Sequence, residues 1–390
     1  MQYQEILHRC FRCGFCKMPS DYSDINCPAY LKYRFESFSP GGRMWLIRAW
    51  LDNELQNTPR LQEILFSCAT CNNCVEHCIF PKFKDYILEA FTAAKEEMVE
   101  QGTLPPRVRD YLTTLFEHGN PYKIPQKKRG DWANEHPISM YSDQEYLFYV
   151  GDVGSHENRG SRIARATSGL LQRLGASIGI LGSKEGSDGN EAKYLGENEL
   201  FRHLAEQNIN TFNKFGVEKI VALSPHAYNV LKNDYPELGG SFQVLHYTHL
   251  LADLLRTASL PENLAPIKLT FHDSCYLGRH NQDYDTVRNI LNALPGTEFV
   301  EMKRNKGNSL CCGGGGGNFF TGFLSSGMEN SANTRVREAA DTGADYLLTS
   351  CPVCTIMLQE ALKSQNLEHK IQVREISELI LEHFFQYNID

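Results

Sequence analysis

The sequence predicts an all-helical N-terminal domain followed by two Rossmann-like α/β domains that are related by duplication. In the first 101 residues, apolar side chains recur close to every 3.6 residues, which is typical of helices that bury one face. From residue 146 onward, short apolar runs alternate with helical stretches, and the same order recurs after residue 266. We therefore expect domains over residues 1–101, 146–265 and 266–390, with a linker over 102–145.

The helical pattern is clearest over residues 43–55 and 84–101, and it predicts two amphipathic helices there. The segment 102–145 holds five prolines and the basic stretch 126–129, so we expect an irregular linker on the surface. The basic stretch is interpreted as a solvated loop, and a docking patch for an acidic partner is the alternative.

The α/β region alternates strands with helices twice. In the first unit, strands are predicted over 146–150, 178–181, 219–223 and 244–247, and helices over 162–174, 199–215 and 248–257. In the second unit, strands are predicted over 268–272, 298–302, 346–350 and 371–374, and helices over 285–294, 329–340, 355–363 and 377–387.

The charge balance excludes several classes of function. The 47 acidic residues exceed the 39 basic ones, giving a net charge of -8, which disfavours nucleic acid, anionic lipid and an acidic partner. No apolar run approaches the roughly 20 residues that span a bilayer, and the first ten residues lack the features of a signal peptide. The expectation is a cytoplasmic protein without direct membrane insertion.

The cysteines indicate metal ligands rather than disulfides. There are 13 of them, an odd number, and we expect a reducing compartment. They form three groups that account for all 13: Cys10, Cys13, Cys16 and Cys27; Cys68, Cys71, Cys74 and Cys78; and Cys275, Cys311, Cys312, Cys351 and Cys354.

The first two groups have the spacing of ferredoxin-type [4Fe-4S] ligands. Each contains C-x2-C-x2-C with a fourth, more distant cysteine, and in two-cluster ferredoxins that fourth cysteine ligates the other cluster. This predicts one cubane on Cys10, Cys13, Cys16 and Cys78, and a second on Cys68, Cys71, Cys74 and Cys27. The second run has Ile79 where the pattern has proline. Two all-thiolate zinc sites are the alternative, although these usually use pairs rather than triplets of cysteines.

The third group lies entirely in the second α/β unit. Aligning the two units places Cys275 against Asp152 at an offset of 123 residues, and Cys311 and Cys312 against Ser187 and Asp188 at 124. Cys351 and Cys354 fall against Ser224 and Ala227 at an offset of 127. The first unit is thus interpreted as a copy without thiolates, since two carboxylates and two hydroxyls suit a soft iron–sulfur cluster poorly.

In the second unit, the cysteines follow the carboxyl ends of predicted strands, where open α/β sheets bind cofactors. Five thiolates exceed the four positions of a tetrahedral zinc. The run of glycines over 313–317 lets the main chain approach a cluster or a substrate closely. It lacks the lysine of a phosphate loop, so nucleotide binding is disfavoured.

These motifs resemble the cysteine-rich, or CCG-domain, iron–sulfur proteins, including the fused electron-transfer and catalytic subunits of heterodisulfide reductase. The resemblance rests on Cys10-Phe-Arg-Cys-Gly-Phe-Cys, Cys68-Ala-Thr-Cys-Asn-Asn-Cys, His272-Asp-Ser-Cys, Cys311-Cys-Gly-Gly and Cys351-Pro-Val-Cys. It implies a noncubane [4Fe-4S] cluster on the five cysteines, whose spacers are 35 and 38 residues here. The family's cleavage of a disulfide between two noncubane clusters is not expected, because the first copy lacks the ligands.

The resemblance implies an electron-transfer subunit of a larger oxidoreductase complex, with benzoyl-CoA reductase-type complexes among the candidates. Because the chain shows no flavin or nicotinamide motif, we expect flavoprotein or iron–sulfur subunits as partners.

Two alternatives stay open. One is a single-site thiol or disulfide reductase at the noncubane cluster, in which His272 or His280 moves protons or contacts substrate. A structural role is the other interpretation of both histidines, and His226 is interpreted as a turn residue. The second alternative is a scaffold protein whose last domain binds zinc or nothing.

Overall fold

A computed structural model describes residues 4–19, 24–82, 84–134, 136–261, 264–327 and 329–386. The described elements form a helical N-terminal region and two parallel-sheet α/β domains, in the order that the sequence predicts. None of the described helices combines the length and the apolar character needed to cross a membrane.

The N-terminal region is helical throughout its described elements, which are α1 (Gln4–Leu7), α2 (Pro28–Tyr33), α3 (Pro40–Leu51), α4 (Pro59–Phe66), α5 (Asn73–Glu76) and α6 (Ile87–Glu100). The helix predicted over 43–55 is α3. It begins at Pro40 because Ser39 caps it, its Oγ accepting a hydrogen bond of 3.0 Å from the Gly42 N–H. The helix predicted over 84–101 begins as a 3-10 turn (Lys84–Tyr86) and continues as α6.

The segment after α6 is more ordered than predicted. Most of it was expected to be irregular, but α7 (Pro106–His118) forms there, with Pro106 in the first turn and Leu112 and Leu115 buried. Proline suits the first turn of a helix, so the proline-rich sequence marks a helix start. The basic stretch is also not fully solvated, because Arg129 is buried.

The first α/β domain consists of β1 (Tyr146–Tyr149), α8 (Gly151–His156), α9 (Asn158–Arg173), β2 (Ile178–Gly179), α10 (Asn190–Tyr194), α11 (Asn198–Lys214), β3 (Lys219–Ala222), α12 (Pro225–Asn233), β4 (Gln243–His246) and α13 (Tyr247–Leu255). Its four strands are parallel, in the order β2-β1-β3-β4, with Leu147 opposite Ile220 and Ile220 opposite Val244.

The second α/β domain consists of β5 (Ile267–Phe271), α14 (Gly278–Asn281), α15 (Thr286–Ala293), β6 (Thr297–Phe299), α16 (Asn318–Thr321), α17 (Ser331–Ala340), β7 (Tyr346–Thr349), α18 (Pro352–Ser364), β8 (Gln372–Glu375) and α19 (Ile376–Phe385). The parallel strands are ordered β6-β5-β7-β8. Every predicted strand overlaps an observed one. The end of the helix predicted over 377–387 lies outside the described residues.

The two α/β domains share details that support their origin by duplication. Their strand orders correspond one to one. Gly189 and Gly313, related by the predicted offset of 124, both have positive φ, at 79° and 92°. A capping box also starts the helix after the last strand in both, built on His246 in the first domain and Glu375 in the second.

The three regions pack against one another through buried contacts. Between the α/β domains, the hydroxyls of Thr167 on α9 and Ser377 on α19 are 2.7 Å apart. The N-terminal region contacts both domains: Lys95 Nζ donates to the Tyr194 carbonyl at 2.9 Å, and the hydroxyls of Thr70 and Tyr276 are 2.8 Å apart. The predicted thiol sites are thereby held in one packed unit.

Candidate metal centres

Cys10, Cys13, Cys16 and Cys78 border a cavity of about 30 Å³ beside α3 and the start of α6. Cys13 is exposed, and the other three are partly buried. The structure therefore brings together the four cysteines that the spacing assigned to the first cubane, including the distant Cys78.

Cys27, Cys68, Cys71 and Cys74 border a second cavity of about 20 Å³, and all four are buried. Cys27 reaches it from the N-cap of α2, where Pro28 starts the helix. The crossover pattern is thus seen in the geometry, because the fourth cysteine of each run lies with the triplet of the other run. Cys16 borders both cavities, so the two are adjacent.

The electrostatics of these cavities fit a cationic metal centre. Burial raises the pKa of the Cys27 thiol to about 11, and it also raises the pKa values of Cys16 and Cys74. Thiolates in such places need a strong positive charge nearby. Four converging sulfur donors are the set that an iron–sulfur cluster uses, so the residues of each cavity suit one.

The five cysteines of the second α/β domain are buried and form a third thiol site. Cys275 Sγ lies 3.7 Å from Cys311 Sγ, and Cys312 Sγ lies 3.3 Å from Cys354 Sγ. Cys351 is the N-cap of α18, with Cys354 in the first turn, because the helix begins at Pro352 rather than at the predicted residue 355. The site lies at the carboxyl ends of β5 and β7, as the sequence predicts.

The two histidines near Cys275 have different surroundings. A ring nitrogen of His272 lies within 4.8 Å of the Cys312 and Cys354 sulfurs, and Nδ1 accepts a hydrogen bond of 3.2 Å from Arg335 Nε. His280 turns away toward the N-terminal region, with Nε2 at 2.7 Å from the Thr70 carbonyl and its ring stacked on Tyr276. Burial lowers the pKa of His280 to about 4, so this residue is a neutral structural histidine.

The second cavity and the third thiol site touch. The neighbouring thiol of Cys311 is the main cause that raises the pKa of Cys71, followed by burial. The glycine-rich run makes the approach possible: a Cβ on Gly315 would stand 2.6 Å from the Ala69 carbonyl oxygen, and one on Gly316 2.5 Å from that of Cys68. The close backbone approach predicted for this run is thus made to the Cys68–Cys71 loop.

Three buried cations surround the second and third sites, and sequence analysis did not identify them. Arg43 donates to the Ile64 carbonyl and Ser67 Oγ, Lys95 to a carbonyl, and Arg279 to the carbonyls of Cys71, Gly307 and Ser309. In the described part of the chain, their hydrogen bonds thus go to neutral oxygens. Because burying an uncompensated charge is costly, thiolates and an anionic cluster are the fitting counter-charge. Nothing in the local sequence around these residues marks them.

The first α/β domain replaces its missing thiolates with an ion-pair network. Arg129 Nη1 lies 2.6 Å from Asp152 Oδ1, and Arg129 Nη2 lies 3.1 Å from Glu185 Oε1. Ser187 Oγ donates to Asp152 Oδ2 at 2.6 Å. Burial, followed by repulsion from Asp152, raises the pKa of Asp188 to about 7. The interpretation of residues 126–129 as a solvated loop is therefore wrong at Arg129, which is a buried partner of two carboxylates.

The remaining predicted positions of the first domain are structural in their contacts. Ser224 caps α12, its Oγ accepting from the His226 N–H at 3.1 Å, and Ala227 is buried in the same helix. His226 is the second residue of α12, so its interpretation as a turn residue is wrong, and its ring contacts residues outside this helix. Its Nδ1 lies 2.7 Å from Glu191 Oε1, and its ring lies 4.1 Å from that of Tyr276 in the second α/β domain.

Comparison with protein families gives two matches. The model for the cysteine-rich domain matches residues 148–232 and again residues 269–359. The model for the 4Fe-4S dicluster domain matches residues 6–80. The two α/β domains and the helical region that holds the first two cavities are therefore each covered.

Curated relatives are iron–sulfur and redox proteins. The chain is 35% identical over 330 residues to a probable iron–sulfur-binding oxidoreductase of Bacillus subtilis, covering 82% of this chain and 46% of the relative. It is 32% identical over 332 residues to the EtfAB:quinone oxidoreductase of Syntrophomonas wolfei, again covering 82% and 46%. A heterodisulfide reductase subunit of Methanosarcina barkeri is 28% identical, with 96% of this chain and 93% of that subunit covered. The chain thus spans about half the length of the first two.

The fold is also found among solved structures. A hypothetical protein from Helicobacter pylori superposes with a TM-score of 0.57 at 11% identity, covering 93% of this chain and 71% of that one.

Proposed function

The chain belongs to the iron–sulfur proteins that join a 4Fe-4S dicluster domain to two cysteine-rich domains, and from this we propose that it is a heterodisulfide reductase-like electron-transfer subunit. In this proposal it relays electrons through two [4Fe-4S] cubanes and one noncubane [4Fe-4S] cluster. The ligands are Cys10, Cys13, Cys16 and Cys78; Cys68, Cys71, Cys74 and Cys27; and Cys275, Cys311, Cys312, Cys351 and Cys354.

The observation that carries the proposal is the continuity of the three thiol sites. Cys16 borders both cavities of the N-terminal region, and Cys71 contacts Cys311 of the third site. Exposure falls along this series, from the exposed Cys13 to the buried cysteines of the second α/β domain. A path that enters at the surface and ends in the interior suits a relay.

The clusters supply one-electron chemistry when bound, and residues of the chain stabilise the negative charge of the clusters. Arg43, Lys95 and Arg279 place positive charge beside the second and third sites, and a fixed cation stabilises the reduced, more anionic form. The glycine-rich run keeps the third site against the Cys68–Cys71 loop. These residues thereby favour inward electron transfer.

Partners follow from the same reasoning. The relative from Syntrophomonas wolfei is named for EtfAB and quinone, and we propose that a flavoprotein or another iron–sulfur subunit exchanges electrons with this chain. Benzoyl-CoA reductase-type complexes are among the assemblies in which such a subunit would serve. A cytoplasmic location fits these partners.

A second candidate is a thiol or disulfide reductase at the third site, favoured by the ring nitrogen of His272 beside Cys312 and Cys354. The same three side chains also form a set that could hold zinc, which is the scaffold alternative.

Iron and acid-labile sulfide quantitation on anaerobically purified protein tests the proposal. We expect about twelve irons per chain, since two cubanes and a noncubane cluster hold four each. About eight irons together with one zinc would instead support the scaffold. Turnover of a disulfide with reduced viologen by the twelve-iron protein would favour the reductase, and its absence would favour the relay.

A further inference from the structure

The first thiol cavity is the place where the series of thiol sites meets the surface. Of the 13 cysteines, Cys13 alone is exposed, and its neighbours in the cavity, Cys10, Cys16 and Cys78, are partly buried. The nine others are buried. An electron exchanged with another protein has its shortest path at this opening.

Apolar side chains collect around the same opening. Seven large apolar side chains are exposed in the described part of the chain, and four of them either line this cavity or adjoin a lining residue in the chain: Phe11 at 73%, Ile79 at 53%, Tyr86 at 44% and Trp45 at 36%. Phe11 lines the cavity, and each of the other three is the chain neighbour of a lining residue. These four residues are called the collar. Exposed apolar side chains gathered in one place are typical of an interaction surface.

Two side chains of the collar, those of Trp45 and Phe11, are held by contacts with their neighbours. Trp45 Nε1 donates to the Cys10 carbonyl at 3.0 Å, and the Phe11 ring lies 5.3 Å from that of Phe80. The guanidinium of Arg12 stands 4.4 Å from the centre of the Trp45 ring. Side chains fixed in this way lose little entropy when a partner covers them.

The charge at the collar has the opposite sign to that of the whole chain. Residues 8–17 and 78–86 carry five cations, Arg9, Arg12, Lys17, Lys82 and Lys84, against one acid, Asp85. Lys17 is paired with Glu36 outside these segments, while Arg9, Arg12 and Lys82 are exposed. The chain as a whole has a net charge of -8. A cationic rim on an acidic protein selects for an acidic partner surface and orients it.

We propose that the collar and its cationic rim form the docking surface for an acidic redox protein that exchanges single electrons with the first cluster. The inference rests on the proposed relay and adds where the partner binds and what surface it presents. It corrects, for this face, the expectation from net charge that an acidic partner is disfavoured. One electron passes between the two cofactors, and no bond is formed or broken.

Stopped-flow reduction of the cluster-loaded full chain tests this surface without any variant. The probe is a reduced acidic [2Fe-2S] ferredoxin, and the comparison reductant is reduced methyl viologen, a small cation. We expect the rate with ferredoxin to fall as salt is raised, because screening removes the attraction. A rate that is independent of salt, or that rises with it, overturns the proposal, as does a failure of ferredoxin to react while viologen does.

Variants then locate the surface. The double substitution Arg12→Glu with Lys82→Glu is expected to slow reduction by ferredoxin about tenfold at low salt without slowing reduction by viologen. Phe11→Ser should also slow reduction by ferredoxin. The matched controls are Arg256→Glu, which changes an exposed arginine at the end of α13, and Phe116→Ser, which changes a side chain that is 71% exposed on α7. Equal effects in controls and collar variants contradict the assignment.

The outcomes separate this inference from the proposed function. If viologen reduces about three clusters per chain but charge reversal leaves the ferredoxin rate unchanged, the relay stands and the docking surface is wrong. If viologen reduces none of the clusters in a fully loaded protein, the relay itself fails.

Discussion

The two α/β domains have the same strand order but differ in what surrounds the buried arginine next to the positions that are aligned with the cysteines. In the first, the guanidinium of Arg129 meets the carboxylates of Asp152 and Glu185. In the second, Arg279 is fully buried beside Cys71, Cys275 and Cys311, and its hydrogen bonds go to carbonyl oxygens. Arg129 is thus paired with carboxylates of the chain, whereas the charge of Arg279 is left to the neighbouring cysteine thiolates and a bound cluster.

The comparison shows how one of two similar domains can lack the five cysteines of the other and keep the same fold. The sheet and the glycine turn persist in the first domain, and a side chain from the preceding segment supplies the positive charge that a metal centre would bring. Fold and chemistry are thus separable here, because strand pairing depends on the apolar strands and not on the residues that follow them. Substituting the cysteines of the second domain and the charged residues of the first tests this difference between the domains. The substitution with the largest expected effect comes first.

The double variant Cys351→Ala with Cys354→Ala should lose a whole cluster. We expect iron to fall from about twelve to about eight per chain, because the first two sites keep all their thiolates. The measurement is iron and sulfide content with the visible spectrum of the anaerobic protein.

The control for this prediction is the equivalent position in the other domain. Ser224→Ala should leave the iron content unchanged, since Ser224 caps α12 and is assigned to no cluster. Unchanged iron in the double cysteine variant would contradict the assignment of the third site.

Arg129→Met should destabilise the protein by about 3 to 5 kcal/mol, because it leaves two buried carboxylates without their cation. Its iron content should not change. Urea unfolding measures the loss, and Arg256→Met, at a side chain that is 81% exposed, should stay within about 0.5 kcal/mol of the parent protein. A small effect at Arg129 would show that the first domain does not depend on this charge.

The sequence predicted the order of the elements because each strand is a short apolar run bounded by polar residues. It also predicted which cysteines of the N-terminal region lie around the same cavity, since the spacing of each triplet is a local property. It missed the helix α7, because Pro105 and Pro106 suggest a linker unless proline is considered as a helix start.

The ion pairs of Arg129 could not be predicted from its neighbours in the sequence. Within its own segment it is one of three consecutive cations, and the two carboxylates that pair with it lie 23 and 56 residues away. The contact between Cys71 and Cys311 is likewise a product of domain packing. Long-range contacts of this kind are fixed by the tertiary structure and leave no periodic signal.

Asp188 contributes to the pH dependence of the stability of the first domain. Its pKa is raised from 3.8 to about 7 by burial, so the folded state binds a proton that the unfolded state releases. The carboxyl therefore reduces stability progressively as pH rises from about 4 to about 7. Relative to the parent, Asp188→Asn should gain stability over this window, on the order of 2 kcal/mol at pH 8.

Urea unfolding at pH 5 and pH 8 measures this gain. The quantity that matters is the difference between variant and parent, because Glu375 also has its pKa raised to about 7 and contributes its own slope to both proteins. Asp253→Asn, at a side chain that is 73% exposed, is the control and should show no change with pH. If the gain at Asp188 is the same at both pH values, the carboxyl is charged in the folded state.

The smallest expected effect lies where the two domains meet. Thr167→Val removes the hydroxyl on α9 that is 2.7 Å from the Ser377 hydroxyl on α19. The cost should be about 1 kcal/mol, because Ser377 retains Glu375 as a hydrogen-bond partner and no buried hydroxyl is left unpaired. Thr167→Ser, which keeps the hydroxyl, is the matched control. Iron content measures the cluster loading of the second domain, and urea unfolding measures the stability of both domains. We expect a single cooperative unfolding transition whose midpoint is lower in Thr167→Val, with about twelve irons retained. This result would show that the first and second α/β domains unfold as a single unit despite their different chemistry.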